Sequence, residues 1–181
     1  MDWTVPEGEY WHGFTFGINI GDYRPVHLLV ETGDYIPAGP MSSLGGFTID
    51  IFETANPTNR ETWTSVLTHT NRVPLFTQLA PGIYSVSVKG PRWLRRTFTD
   101  AIEITSDGGR LDTPFQLING DADQDNEVSI GDYAILSGGY GLSYGDAGWY
   151  DYDNADFNVD LTIDIADYAI ISANYGQIGD D

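Results

Sequence analysis

A mainly β chain is predicted, an antiparallel β-sandwich over residues 1–118 followed by a small α-helical module over residues 119–181. Three observations carry that division. Short runs of alternating apolar and polar residues, separated by turn signals, fill the first two thirds, and no helical period interrupts them. The stretch "DADQDNEVSIGDYAILSGGYG" at 121–141 then returns 35 residues later as "DFNVDLTIDIADYAIISANYG" at 156–176, with ten of 21 positions identical. Charge divides at the same place. Of 27 acidic residues 14 lie beyond residue 118, together with none of the 8 basic ones, so the net charge of -19 splits into -5 and -14.

At 181 residues, 41% hydrophobic and 13% aromatic, the chain has the composition of one globular domain with a small module attached. Strands are predicted in order at "HGFTFGINI", "VHLLVE", "FTIDIFE", "TWTSVLTH", "VPLFTQL", "IYSVSVK", "RTFTDAIEIT" and "TPFQLIN". Turns are predicted at "ETGDYIPAGP" and "TANPTN". In the sixth run Tyr84, Val86 and Val88 share one face and Ser85 and Ser87 the other. Residues 1–9 read as an extended arm. In the run after it Tyr10, His12, Phe14, Phe16, Ile18 and Ile20 share a face, which suits either the sandwich's own first strand or a strand donated to a neighbouring copy.

The repeat places oxygen where a twelve-residue calcium loop needs it. In the first copy these are Asp121, Asp123 and Asp125 at places 1, 3 and 5, the carbonyl of Glu127 at 7, Ser129 at 9 and Asp132 at 12. In the second they are Asp156, Asn158, Asp160, the Thr162 carbonyl, Asp164 and Asp167. Two Ca2+ ions are therefore expected as structural cofactors, because so acidic a module repels itself unless cations neutralise it. Val128 and Ile163 at place 8 suit a short bridge between loops set back to back. Ser129 and Asp164 can cap helices in which Ile130, Tyr133, Ala134 and Ile165, Tyr168, Ala169 share a face. Gly138 and Gly139 should end the first helix, and Asn174 and Gly176 the second. Ahead of the loops "DTPFQLIN" reads extended and "YGDAGWYDYDN" reads as a loop, so each repeat is half an EF-hand.

This pattern resembles the type I dockerin module over about residues 119–178. The resemblance implies two loop-helix repeats with Asp at place 12 and docking onto a cohesin domain of another protein. Place 6, usually Gly, is Asn126 and Leu161 here. Places 10 and 11, a polar recognition pair in many dockerins, are Ile130 with Gly131 and Ile165 with Ala166. Within the first part "LAPGIYSVSVKG" is similar to a hairpin of carboxypeptidase-regulatory-like and Cna-B-like sandwiches, which are non-catalytic spacers of exported proteins.

No nucleophile elbow, P-loop, zinc-protease or dinucleotide fingerprint occurs, and His12, His27 and His69 fall on separate predicted strands, so no enzyme is expected. "KGPRWLRR" holds half of the basic charge in eight residues. Nucleic acid as partner conflicts with a charge of -19, a solvated loop is the plain alternative, and docking onto an acidic surface such as the C-terminal module is the favoured reading. Cysteine is absent, no apolar run is long enough for membrane insertion, and the first residues do not form a signal peptide. Millimolar calcium outside the cell would keep such loops filled, which implies an extracellular or cell-surface protein. The expected function is structural or attachment, preferably self-assembly into a fibre or surface layer as a homo-oligomer or polymer. The alternative is a dockerin-type anchor of a larger secreted enzyme on a cohesin scaffold.

Overall fold

The computed structural model describes residues 23–34, 46–66 and 72–181. The predicted strand at 12–20, the extended arm, and the histidines at 12 and 69 lie outside them. Among the described residues eight strands form: β1 Arg24–Thr32, β2 Gly46–Glu53, β3 Asn56–Val66, β4 Arg72–Thr77, β5 Gly82–Lys89, β6 Arg96–Thr105, β7 Gly108–Arg110 and β8 Phe115–Leu117. They follow one hydrogen-bonded path, β3-β2-β5-β6-β7-β1-β4, with β8 also on β1. The path curls so that alternate residues of its strands meet in one core, among them Val26, Leu28, Ile49, Val86, Ile102 and Phe115.

Pairing is antiparallel except at two places, where β1 runs parallel to β7 and to β8. The wholly antiparallel sandwich expected from the sequence is corrected there. β7 reverses from β6 through a two-residue turn and takes its direction from it, with Ile104 opposite Gly109. Three Gly-rich residues carry no alternation, so β7 could not be seen in the sequence. "TANPTN" is corrected too: the turn is confined to Thr54 and Ala55, and β3 already runs from Asn56. Among the described residues β3 is paired on one side only, by β2, so Pro57 deprives none of them of a hydrogen bond.

Beyond β8 the repeat folds into α1, Ile130–Gly139, and α3, Ile165–Asn174, separated by the short α2, Trp149–Tyr152, and a 3-10 turn at Asp153–Ala155. The segment "YGDAGWYDYDN", expected as a loop, is thus partly helical, anchored by the buried Trp149 and by Tyr152. Ser129 and Asp164 are the N-caps, each in a reciprocal capping box with the Asp three residues on.

Which way the helices face was not legible. Asp132 and Asp167 turn inward, so the residues four places on, Leu136 and Ile171, are buried, and Ile130 and Ile165 face solvent. Gly138 and Gly139 are the last two residues of α1, as expected. They lie at its end against Tyr152, where a Cβ would come within 2.4 Å and 2.5 Å of that ring and its Cβ. Place 8 residues do not bridge each other. Val128 exchanges backbone hydrogen bonds with Gly176 and Gln177 after α3, and Ile163 with Gly141 and Leu142 after α1.

Candidate metal centre

In the first loop, carboxylate oxygens of Asp121, Asp123 and Asp132 all lie within 4.8 Å of one another. Asp132 is fully buried; its Oδ1 accepts the backbone N–H groups of Ala122 (2.6 Å) and Asp123 (3.1 Å), and its Oδ2 that of Ser129 (2.7 Å). Asp121 is equally buried. Its Oδ2 accepts from the Lys89 ammonium at 2.5 Å and from Asn126 N at 3.2 Å, while its Oδ1 has no hydrogen-bond partner. An ionised oxygen sealed from water and left bare is the position a hard cation would take. Burial raises the pKa of Asp121, against the pull of Lys89, and burial again raises Asp123. The Asp125 carboxylate accepts Glu127 N (2.9 Å), and Ser129 Oγ caps α1 at Gly131 N (3.1 Å).

The second loop repeats the frame. Asp167 Oδ1 accepts from Phe157 N (2.7 Å) and Asn158 N (3.2 Å), and its Oδ2 from Asp164 N (2.9 Å). Asp160 Oδ1 accepts from Thr162 N at 3.0 Å, and Asp164 Oδ1 from Ala166 N at 2.7 Å. Among the described residues only the first loop forms the carboxylate triad; Asn158 stands where the first has Asp123. Both loops hold non-glycine residues in the left-handed region at places 4 and 6: Gln124 (φ 66°), Asn126 (72°), Val159 (62°) and Leu161 (73°). Place 6 is where such loops usually carry glycine, the residue that takes this conformation most easily; place 4 carried no signal. Four such residues are strained by about 1–3 kcal/mol each unless something overrides their preference, and an ion bound inside the loop would supply that force. The residues present are of the chemistry calcium takes: Asp121, Asp123, Asp125, Ser129 and Asp132 would hold one ion, and Asp156, Asn158, Asp160, Asp164 and Asp167 would hold a second.

Asp156 predicts a pH response. Burial pushes its pKa up to about 6, opposed by the nearby Arg92 guanidinium. In calcium-stripped protein the folded state takes up this proton near pH 6 and the unfolded chain only near the ordinary carboxylate value of about 4. Between those values the native state holds more protons, so stability rises as pH falls from about 7 to about 5. Urea unfolding of calcium-free protein should show the higher midpoint at the lower pH. A lower midpoint there would contradict the assignment. Saturating calcium should flatten or reverse the slope, since ion and proton compete for Asp156.

The basic segment sits on this module. Lys89 pairs with Asp121, Arg92 Nη1 donates to the Asp156 carbonyl at 2.8 Å, and Arg96 lies 3.7 Å from Asp180. Docking of "KGPRWLRR" onto the acidic half therefore occurs within the chain, except that Arg95 turns back to Asp50 at 3.3 Å. Trp93 is buried in the β core, and Leu94 enters the core of the helical part. Val159 of the second loop crosses the other way into the β core. Asn119 completes the seam, donating to the Phe157 carbonyl at 2.7 Å and accepting from Asn174 Nδ2 at 2.9 Å. His27 is exposed on β1.

No protein-family model matches the chain, and no curated protein matches it. Solved structures with a chain of similar fold include two complexes of type II cohesin with X-dockerin from Acetivibrio cellulolyticus, carrying mutations at an N-terminal and a C-terminal interface respectively. The TM-scores are 0.63 and 0.62; in each case the identity is 18%, and the overlap covers 86% of this chain and 97% of the other. The likeness is one of fold. Residues 1–118 amount to about two thirds of the chain, so an overlap of 86% also takes in much of the loop-helix part.

Proposed function

We propose that this chain is a non-catalytic attachment protein of the cell exterior, in which a β unit and a dockerin-like module holding two structural Ca2+ ions together present one docking face to a cohesin-like domain. The observation that carries this reading is the outward face of α1 and α3. Ile130 is 73% exposed, Ile165 65%, Tyr175 54% and Tyr168 45%, although each belongs to a residue type that usually seeks burial. Tyr133 ties the two helices into one patch, with ring centroids 5.7 Å from Tyr168 and 5.6 Å from Tyr175 and its hydroxyl 2.7 Å from Ser172 Oγ. A groove of about 460 Å3 opens between Ile130, Tyr133, Ser172 and Tyr175. Contiguous apolar and aromatic surface of this kind marks a protein interface.

The nature of the solved neighbours favours a cohesin-like partner over another copy of the chain. Apolar residues at place 10 of both loops then replace the polar pair of many dockerins, and the contact would be driven by apolar burial. Self-assembly, the function preferred from sequence, would draw on the same face and is separable by experiment. Light scattering after size exclusion in millimolar calcium, with and without a type II cohesin, should show a monomer that becomes a one-to-one complex. Ile130→Asp with Ile165→Asp should weaken that complex by 100-fold or more, about 2.7 kcal/mol or above, as loss of central apolar contacts does. A polymer in calcium that the same double variant dissolves would replace attachment by self-assembly. No complex and no polymer would remove both readings.

A further inference from the structure

We infer that the β unit and the C-terminal tail are working parts of the first calcium site: Lys89 and a clip joining Arg95, Asn126 and Asp180 hold its ligands in position, so their loss weakens that site and spares the second. The inference rests on the calcium reading above and concerns side chains that the calcium-loop pattern does not count as ligands.

Lys89 Nζ donates to the carbonyls of Gly90 (3.2 Å) and Trp93 (2.9 Å) and to Asp121 Oδ2 (2.5 Å). An ammonium has three protons, and all three are used, so the group is fixed and in turn fixes the Asp121 carboxylate. The oxygen left over is the buried Oδ1 without a partner. Lys89 thus selects which oxygen of the first ligand is offered to the ion. Its charge works the other way, since a cation beside the loop repels calcium. The direction of the effect of removing it therefore separates positioning from electrostatics.

Asn126 is at place 6, in the left-handed conformation that glycine adopts most easily. Its side chain explains the choice of residue. Oδ1 accepts from Arg95 N at 2.7 Å and Nδ2 donates to the Asp180 carbonyl at 3.0 Å, while the Asn126 carbonyl accepts Gly179 N at 2.9 Å. The tail is held to the sheet by Asp180 N on the Arg95 carbonyl (2.9 Å) and by Thr97 N on Asp180 Oδ2 (2.7 Å). A Cβ on Gly179 would stand 2.2 Å from Asn126 Oδ1, so tail and loop are in full contact. Through this clip Asn126 N is held where it reaches Asp121. In the second loop Leu161 occupies place 6 and has no amide to clip. The oxygens of Asp156 accept the backbone N–H groups of Asp160 and Leu161, whereas Asp121 accepts that of Asn126 and the Lys89 ammonium.

The test is a calcium titration of the full chain, Lys89→Met and Asn126→Gly, followed by amide NMR signals of Gly131 and Ala166, which report the two loops separately. Signals of Val86 and Ile102 verify the β fold in each variant. The first-loop midpoint should rise roughly tenfold or more in both variants, as when outer groups that orient metal ligands are lost, with the second-loop midpoint within about twofold. A first-loop midpoint that is unchanged or lower in either variant would overturn the inference, as would equal weakening of both loops. Absence of any calcium-dependent change in the unaltered chain would instead overturn the calcium reading itself, and the inference with it.

Discussion

Replacing Asp132 with Ala is expected to destabilise the protein in calcium by about 3–5 kcal/mol, a drop of roughly 10 °C in Tm, and to abolish ion uptake by the first loop. The effect is large because one side chain serves two purposes. Its two oxygens satisfy the backbone N–H groups of Ala122, Asp123 and Ser129, all inside the loop, and it contributes to the carboxylate triad. Alanine leaves those donors without their acceptor, fully buried at Ala122 and partly buried at Asp123 and Ser129, and each buried orphan costs about 1–3 kcal/mol. Asp167→Ala should do the same to the second loop, whose buried carboxylate accepts from Phe157, Asn158 and Asp164. Asp125→Ala is the contrast. Its side chain is exposed and bonds locally, so its loss should lower calcium affinity with little change in the melting of the calcium-free protein. Thermal melts followed by circular dichroism, in calcium and after its removal, would check all three. An Asp132→Ala melt within about 2 °C of the parent in calcium would refute the account.

Trp93→Ala should cost about 3–5 kcal/mol as well, and for a different reason. The indole is fully buried in the β core, with its ring centroid 5.4 Å from that of Phe47. Truncation leaves a cavity that strands on both sides are too constrained to fill. It also loosens the segment from Lys89 to Leu94, whose Lys89 and Arg92 reach the first residue of each acidic loop, Asp121 and Asp156. Weaker calcium binding by Trp93→Ala, from a site where Trp93 itself touches no ligand oxygen, is therefore expected alongside the lowered urea midpoint. Destabilisation below about 1 kcal/mol would show that the seam between β unit and loops is far looser than its packing implies.

The elements that sequence reading recovered are those whose cause is local. Ser129 and Asp164 cap helices because an oxygen two places ahead of an N–H can always reach it, and Asp132 and Asp167 close their capping boxes by the same short geometry. Strands β1, β2, β4, β5 and β6 announce themselves through residues that alternate within one run. β3 was placed too late because Asn and Pro commonly mark turns, and only its position at the sheet edge makes them tolerable. The outward turn of Ile130 and Ile165 escaped for a related reason. Periodicity reveals which residues share a face, not which way that face is turned, and here the inward pull of Asp132 and Asp167 decides it.

By itself, then, the sequence determined a β unit, a twofold repeat with oxygen-bearing side chains at alternate places, and the division of charge between the two. Tertiary structure alone decided that Val128 and Ile163 bridge to the segments after the opposite helices, that Lys89 and Arg92 reach into the loops, and that Asn126 clips the tail to the sheet. Spacing along the chain controls contacts within a few residues. Which segments separated by 32 to 64 residues come together is settled by the burial of Trp93, Leu94 and Val159 in cores that the two halves build jointly, and no local pattern records it.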